Sequence, residues 1–195
     1  MAQLSRPPGV IEDNEEDNEA DIALVERCRK GDWAAFTDLV VRYQRPVYNA
    51  AFWILRKPED ANDIAQVVFL KVAEHLDEYD PRFKFFSWIY RITVNESLNV
   101  LRRGGREEAL DAEIDLPGSE SDNPERQAIA AQVASRIRSA LMTMSPNDRV
   151  VLTLRHFSEC SYDEIGQILH LDSKTVKSRL FEARQRLREL LSDLH

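Results

Sequence analysis

The C-terminal stretch that begins at Ser161 constrains the fold more than any other part of the chain. Ser161 followed by Glu164 is a capping-box pattern, which predicts that a helix begins there. The polar segment 170–172 is long enough only for a tight turn, and Asp172 or Ser173 can cap a second helix after it. A short helix, a turn and a longer helix in this order predict a helix-turn-helix unit.

The longer helix of this unit separates into two faces at 100° per residue. The apolar face predicts a core and comprises Val176, Leu180, Ala183, Leu187, Leu190 and Leu191. The opposite face carries groups that phosphates and base edges bind, on Lys174, Lys177, Ser178, Phe181, Gln185 and Arg188, with Arg184 beside them. An aromatic ring on a polar face needs a cover, so a thymine methyl group or a neighbouring helix remain alternatives for Phe181.

The acidic residues of the chain are unevenly distributed. The net charge is −8, but residues 1–20 hold six acids and one Arg, and residues 106–125 hold eight acids and one Arg. The remaining segments are neutral to basic. We expect weak binding to free DNA, because few phosphates are neutralised and the acidic segments oppose the approach. A larger partner would then hold the protein on DNA.

Composition and periodicity divide the chain into four parts, which predict an all-α fold of two helical domains joined by an acidic flexible linker. Residues 1–20 form a disordered acidic tail, residues 21–105 a helical domain, residues 106–125 the linker and residues 126–195 a second helical domain. The predicted helices cover 22–30, a segment capped by Asp32 and bent at Pro46, a segment from Pro58, 85–103, 128–144 and a segment capped by Ser145, with a loop at 78–84.

Two further stretches of the first domain carry candidate binding residues. The predicted helix from Pro58 has an acidic flank, which is also typical of solvated surface. The predicted helix 85–103 has aromatic, guanidinium and amide groups along one stripe, at Trp88, Arg91, Asn95, Asn99 and Arg102. Such a stripe suits single-stranded nucleic acid, because bases stack on rings while cations follow the backbone. The alternative for Phe85, Phe86 and Trp88 is an ordinary place in the core.

Several classes of site are disfavoured. Cys28 and Cys160 lack the spacing of a disulfide framework or zinc site and fit a reducing cytoplasm. The four histidines are isolated from one another, and no triad or carboxylate pair is present, so we expect no catalytic residue, no metal and no cofactor. The N-terminus has no apolar core of signal-peptide length, and the longest apolar runs are too short to span a bilayer.

Three segments in series resemble the extracytoplasmic-function (ECF) group of bacterial sigma-70 factors. They are DANDIAQVVFLKV at 60–72, FFSWIYRITVNESLNVLRR at 85–103 and SYDEIGQILHLDSKTVKSRLFEARQRLREL at 161–190. The resemblance implies a region-two domain at 21–105 and a region-four domain at 126–195. It also implies a subunit that joins core RNA polymerase, recognises the minus-thirty-five and minus-ten promoter elements and promotes strand opening.

The resemblance assigns residues to three surfaces. The surface for the clamp coiled coil of core polymerase comprises Asp60, Asp63, Gln66 and Phe69. The minus-ten DNA surface comprises Tyr79, Arg82, Phe85, Phe86, Trp88, Arg91, Asn95, Asn99 and Arg102. The minus-thirty-five DNA surface comprises Ser173, Lys174, Thr175, Lys177, Ser178, Phe181 and Arg184. The chain departs from the family pattern at Val67, at Asp80-Pro81-Arg82 and at Glu182.

The resemblance further implies the polymerase flap and an anti-sigma factor as partners. It implies a cytoplasmic protein without membrane insertion, held at the inner membrane face if its anti-sigma factor is membrane-linked. The acidic linker would occupy the RNA path of the polymerase or act as a tether. The competing hypothesis is a helix-turn-helix regulator that binds its operator without being a polymerase subunit, usually as a dimer. Such a regulator has no need of residues 58–103, and a nucleic-acid enzyme would need a catalytic constellation.

Overall fold

The computed structural model describes residues 15–103, 132, 135–137 and 139–192, and within these ranges all regular structure is helical. The first part contains α1 (Glu15–Arg29), α2 (Trp33–Leu55), α3 (Pro58–His75), a 3-10 turn (Leu76–Glu78) and α4 (Phe85–Arg103). The second contains helical residues 135–137 and 139–143, followed by α5 (Pro146–His156), α6 (Tyr162–Leu169) and α7 (Ser173–Ser192). The predicted all-α, two-domain fold is confirmed, whereas the linker 106–125 lies outside the described residues.

The capping residues act as the sequence predicts. The Asp32 carboxylate accepts hydrogen bonds from the backbone N–H groups of Ala34 and Ala35 at the start of α2. The Ser145 hydroxyl accepts from the Asp148 N–H at the start of α5, and Ser161 forms the complete capping box with Glu164 at the start of α6. These bonds satisfy N–H groups that a helix leaves without an internal partner.

Helix α2 is the centre of the first domain and packs against α1, α3 and α4. It continues through the buried Pro46 without interruption and ends at Arg56, which takes a left-handed conformation with φ of 65°. Pro58 then occupies the first turn of α3, where a missing N–H group costs nothing. The boundary between α2 and α3 therefore lies at Pro58, where the sequence predicts that a new helix begins.

The prediction for the N-terminal tail is wrong in part, because residues 15–20 belong to α1. The cause is a set of contacts with α2. Arg42 pairs with Asp17 and Asp21, and the buried Tyr43 hydroxyl donates a hydrogen bond to the Asp21 carboxylate. Burial raises the pKa of Asp21, although these two partners act in the opposite direction. Such tertiary pairing holds an acidic segment in helical form despite its composition.

The helix-turn-helix unit is confirmed, with a turn that depends on a glycine. A Cβ atom at Gly166 would lie 2.6 Å from the Leu171 carbonyl oxygen, which is closer than real Cβ contacts allow. His170 takes the left-handed conformation with φ of 53° and ends α6, and the Asp172 carboxylate accepts from the Thr175 N–H at the start of α7. Val176, Leu180 and Ala183 of α7 are buried, as the apolar face of this helix predicts.

The two domains are in direct contact, so that the core runs from one into the other. The rings of Trp53 and Phe157 stack with centroids 3.6 Å apart. The buried Arg149 donates a hydrogen bond of 2.7 Å from Nη1 to the Ile54 carbonyl oxygen, near the C-terminus of α2, where the helix dipole favours a cation. Burial lowers the pKa of the Arg149 guanidinium. Within the described residues, no helix is both long and apolar enough to cross a membrane.

We expect Phe157→Ala to loosen the contact between the domains. The substitution removes the ring that stacks on Trp53 and costs about 1–3 kcal/mol of packing free energy. Small-angle X-ray scattering should then give a larger radius of gyration. Phe181→Ala is the matched control, because Phe181 is 63% exposed on α7. An unchanged radius for Phe157→Ala would show that the stacked rings do not hold the domains together.

Candidate nucleic-acid interface

A cavity of about 260 Å³ lies between the loop after the 3-10 turn and the first turns of α4. Three of the residues predicted for the minus-ten surface line it, namely Tyr79, Trp88 and Arg91. Phe83 and Ser87, which the sequence did not single out, line it as well. The structure therefore brings aromatic rings, a guanidinium and a hydroxyl to one concave site.

Hydrogen bonds within the loop give the cavity its shape. The Tyr79 hydroxyl donates to the Phe83 carbonyl oxygen at 2.7 Å, and the Phe83 N–H donates to the Asp80 carbonyl oxygen at 3.0 Å. Burial, with the nearby Asp21 and Asp80 carboxylates, raises the pKa of Tyr79 to about 12, so its hydroxyl is a donor at neutral pH. Arg82 is exposed and forms an ion pair with Asp80. Both residues belong to Asp80-Pro81-Arg82, one of the places where the chain departs from the family pattern.

Arg29 of α1 binds the backbone at the start of this loop, a contact that the sequence did not reveal. One guanidinium nitrogen donates to the carbonyl oxygens of Leu76 at 3.0 Å, Asp77 at 3.3 Å and Tyr79 at 2.6 Å. Arg29 also pairs with Glu26 on its own helix at 2.9 Å. Because these carbonyls lie about 50 residues further along the chain, no local pattern could have indicated the contact.

Phe85 and Phe86, both predicted for the minus-ten surface, lie inside the core with 0% and 4% of their surface exposed. Phe85 contacts the rings of Tyr43, Tyr79 and Trp88 at centroid distances of 5.3, 5.4 and 5.6 Å. Neither phenylalanine could stack on a base unless the domain opened. In this structure the core alternative describes both residues, whereas Trp88 is mostly buried but still borders the cavity.

The rest of the predicted stripe continues along the surface of α4. Asn95 and Arg102 are exposed and Asn99 is half-buried. Arg102 donates to the Asn99 side-chain oxygen at 3.2 Å, so this guanidinium and this amide fix each other's orientation. The stripe from the cavity to the end of α4 is therefore polar and accessible over its distal half.

The second domain forms one wall of the cavity. Gln167 and His170, from the end of α6, line it, and Arg91 Nη1 lies 3.4 Å from His170 Nε2. Beside the cavity, Lys84 forms an ion pair of 2.8 Å with Glu164. In this arrangement α6 covers part of the site that the sequence assigns to single-stranded DNA.

The polar face of α7 remains open to solvent in the same arrangement. Lys174, Lys177, Ser178, Phe181 and Arg184 are exposed, and together they are called the recognition face below. Ser173 and Thr175 differ from them, because their hydroxyls donate to Asp163 and Asp172 and help to form the turn. Arg184 donates to His156 Nε2 at 3.3 Å. Burial and the charges of Arg184 and Arg155 lower the pKa of His156, which keeps that imidazole neutral and able to accept.

The residues predicted for the polymerase surface lie along α3. Asp63 and Gln66 are exposed, while Asp60 and Phe69 are half-buried. Gln66 and Phe69 line an open groove of about 440 Å³ between α2 and α3, with Tyr48 on the α2 side. The two carboxylates lie beyond the groove lining, on the N-terminal half of α3. The site is thus a groove of mixed polarity, lined by apolar side chains together with Gln44, Arg45 and Asn62, and two carboxylates lie beyond it.

Comparison with known proteins gives a consistent result over most of the chain. Residues 39–107 match the family described as Sigma-70 region 2, and residues 134–187 match Sigma-70, region 4. The ECF RNA polymerase sigma factor SigW of Bacillus subtilis (strain 168) is 31% identical over 181 residues, which cover 87% of this chain and 96% of SigW. The ECF RNA polymerase sigma-E factor of Escherichia coli (strain K12) is 34% identical over 174 residues, covering 85% and 91%.

Solved structures show the same fold. CnrH in complex with the cytosolic domain of CnrY has a TM-score of 0.69 at 25% identity, covering 89% of this chain and 98% of that one. The sigma factor RpoE from Bartonella quintana has a TM-score of 0.62 at 23% identity, covering 80% and 96%.

These matches confirm the sigma-factor hypothesis over a self-sufficient regulator, since they include the region-two segment that a regulator does not need. One chain combines an exposed helix-turn-helix face, a cavity beside an aromatic and basic stripe, and matches to both sigma-70 regions. The chain belongs to the sigma-70 family of RNA polymerase sigma factors, in its ECF group.

Proposed function

We propose that this sigma factor divides promoter recognition among three surfaces, each formed by a different helix. The cavity and the stripe on α4 bind the unpaired minus-ten strand, the recognition face of α7 enters the minus-thirty-five duplex, and the groove between α2 and α3 receives core polymerase. The observation that carries the proposal is the convergence of Tyr79, Trp88 and Arg91 on one cavity. A protein that binds only duplex DNA has no need of such a site.

The chemistry of the cavity suits an unstacked base. Phe83 is 50% exposed in the loop, and Trp88 and Arg91 offer an aromatic edge and a guanidinium nearby. Asn95, Asn99 and Arg102 continue along α4 and would follow the strand backbone. Phe85 supports this role from the core, because it contacts the rings of Tyr79 and Trp88 that border the cavity, whereas Phe86 contacts Tyr90.

The recognition face of α7 suits the major groove. Lys174, Lys177 and Arg184 are exposed cations on one side of a 20-residue helix, and the apolar side of that helix is packed against α5 and α6. Ser173 and Thr175 contribute by fixing the turn that aims the helix. Glu182 is exposed beside Phe181 and forms an ion pair of 3.4 Å with Arg186, so it would contact a base only by giving up part of that pair.

The groove between α2 and α3 offers a partner both apolar and polar contacts, from Val40, Phe69 and Arg45 among others. Gln66 and Phe69 border the groove and Asp60 and Asp63 lie beyond it, which matches the clamp coiled coil that the family resemblance implies. The polymerase flap would contact the second domain. The acidic residues beyond the groove would steer a basic partner and set its orientation.

We further propose that the protein has no catalytic activity of its own, acts in the cytoplasm and is controlled by an anti-sigma partner. Among the described residues, no group of His, Cys, Asp and Glu side chains could hold a metal ion. The similar protein CnrH was solved with the cytosolic domain of another protein bound to it, which supports a partner of that kind here.

The experiment that tests the function is transcription in vitro with core polymerase on a promoter library. The chain should direct specific initiation, whereas the chain alone should give no specific shift of the same promoters at physiological salt. Specific binding by the isolated chain, with no effect of added polymerase, would instead favour the regulator hypothesis.

We expect Asp60→Lys with Asp63→Lys to weaken binding to core polymerase while the melting temperature stays the same. Asp63 is exposed and Asp60 is half-buried, and reversing their charge repels a basic partner. Co-purification with core polymerase is the measurement. Glu74→Lys is the matched control, because Glu74 is exposed on the same helix but outside the predicted surface. Equal recovery of all variants would contradict the assignment of α3.

We expect Lys177→Ala and Phe181→Ala to fail differently in promoter selection by holoenzyme. If Lys177 contacts a phosphate, its loss weakens all sequences alike and lowers the salt slope by about one; a base contact is worth about 1–3 kcal/mol of discrimination. Phe181→Ala should leave the salt slope unchanged and reduce the preference for thymine at one minus-thirty-five position. A stability loss with an unchanged motif would place Phe181 in the core instead.

We expect Arg29→Lys to lower the yield of open complexes. A lysine side chain is one bond shorter, so its ammonium cannot reach the three loop carbonyls and Glu26 together, and hydrogen bonds from charged groups contribute about 1.5–3 kcal/mol each. Permanganate reactivity of promoter thymines is the measurement. Arg27→Lys is the control, since Arg27 is on the same turn and its guanidinium pairs with Asp32, within the described residues, and not with the loop. Equal thymine reactivity in both variants would remove this positioning role.

A further inference from the structure

Arg45 of α2 gives the groove between α2 and α3 a positive charge on its α2 side. The side chain lines the groove, is exposed, and forms no ion pair within the described residues. One turn earlier on the same helix, Arg42 pairs with Asp17 and Asp21 of α1. The two arginines therefore differ, because only Arg42 is matched by acids of the chain that the structure describes.

The chain that precedes α1 approaches Arg45. Helices α1 and α2 are joined by a short turn at Gly31, which takes a left-handed conformation with φ of 88°, and they pack against each other. Since the two helices run in opposite directions, going back along α1 from Asp17 leads along α2 from Arg42 towards its C-terminus. Arg45 lies in that direction, about 4.5 Å further along the helix axis. Residues 6–13, which lie outside the described residues, are therefore attached close to the groove.

The order of residues in this segment complements the groove. Residues 6–13 read RPPGVIED, so two acids come nearest to α1, two apolar residues precede them, and a base lies beyond a glycine and two prolines. The groove has Arg45 on its α2 side, Tyr48 and Phe69 in its lining, and the exposed Asp63 beyond the lining on α3. Acidic, apolar and basic groups of the segment would thus meet basic, apolar and acidic groups of the groove in the same order.

The segment is long enough to cross the groove. Eight residues in extended form span at most about 26–29 Å. The lining residues Val40 and Tyr48 are eight positions apart on α2, which is about 12 Å along the helix axis. Consecutive prolines favour the extended polyproline II conformation, which docks in grooves lined by aromatic side chains such as Tyr48 and Phe69. Reach, backbone preference and residue order therefore favour the same occupant.

We propose that residues 6–13 of this chain dock in the groove between α2 and α3. The two acids of the segment pair with Arg45, its two apolar residues cover the apolar part of the lining, and Arg6 pairs with Asp63. Because the segment is tethered beside the groove, its effective concentration there is about millimolar. Contacts that are individually weak are then sufficient to keep it bound.

The consequence concerns assembly with polymerase, so it rests on the proposed function of the groove. If core polymerase binds the same surface, the segment and polymerase compete. The apparent dissociation constant for polymerase is then the intrinsic one divided by the fraction of molecules with an open groove. A segment bound in about nine of ten molecules would reduce the affinity for polymerase about tenfold. The chain itself would thus limit its assembly into holoenzyme.

Photo-crosslinking in the full chain, without polymerase, tests the docking. A benzophenone amino acid in place of Ile11 should cross-link to the lining of the groove, within residues 40–48 or 62–69. Mass spectrometry of the cross-linked peptides is the measurement. The absence of cross-links to both helices would overturn the proposal.

Charge reversal tests the pairing. Arg45→Glu should reduce the yield of this cross-link at low salt by about 2- to 5-fold, the effect of one exposed ion pair. Adding Glu12→Arg and Asp13→Arg to the same chain should restore the yield. Arg103→Glu is the matched control, because Arg103 is an exposed cation at the end of α4 and outside the groove lining. Equal yields in Arg45→Glu and Arg103→Glu would overturn the proposal.

Polymerase binding tests the competition. Val10→Ser with Ile11→Ser leaves the charge unchanged and should increase the affinity for core polymerase by about 3- to 10-fold, as when a groove occupied in about 70–90% of molecules is opened. Leu4→Ser, outside the segment, is the control, and fluorescence anisotropy is the measurement. Unchanged affinity would overturn the competition, provided that Asp60→Lys with Asp63→Lys weakens binding. If that variant also bound like the wild type, the competition would fail together with the proposed function of the groove, and the cross-links would still decide whether the segment docks.

Discussion

The aromatic contacts around Tyr43 hold the first domain together and connect its core to the candidate DNA site. Tyr43 on α2 is fully buried, bonds through its hydroxyl to Asp21 of α1 and contacts the ring of Phe85 at the start of α4. Phe85 in turn contacts Tyr79 and Trp88, which border the cavity. The position of the cavity walls therefore depends on rings buried in the core.

The parts of the structure that depend on neighbouring residues were predictable from the sequence, and the parts that depend on distant ones were not. The caps at Asp32, Ser145 and Ser161 use partners two or three residues away, and all three were predicted. The start of α1 was placed too late because it depends on Arg42, more than 20 residues from its acidic partners. Arg29 was overlooked because the loop carbonyls that it binds lie about 50 residues further along the chain. The polar face of α7 followed from periodicity alone, since an isolated helix already determines which side chains share a face.

The recognition face and the cavity, the two candidate DNA-binding sites, differ in their exposure to solvent. The recognition face of α7 is exposed, whereas the cavity is covered on one side by Gln167 and His170. Two contacts join the domains at this site. Lys84 pairs with Glu164 of α6, and Trp53 stacks on Phe157, which follows α5. The acidic linker and tail add a net negative charge that opposes DNA binding by the free chain. Charge and domain contact thus favour promoter binding in the company of a larger partner.

Under the proposed function, the domain contact would also affect the strength of strand binding. A base that enters the cavity competes with α6, so the apparent dissociation constant for the strand is the intrinsic one divided by the fraction of molecules in which α6 has moved away. Each 1.4 kcal/mol that a partner contributes to separating the domains increases strand affinity about tenfold, until the open fraction reaches one. By linkage, a bound strand strengthens binding of that partner by the same factor. The stacked rings of Trp53 and Phe157 belong to the domain contact, so under the proposed function they would determine how strongly polymerase binding raises strand affinity.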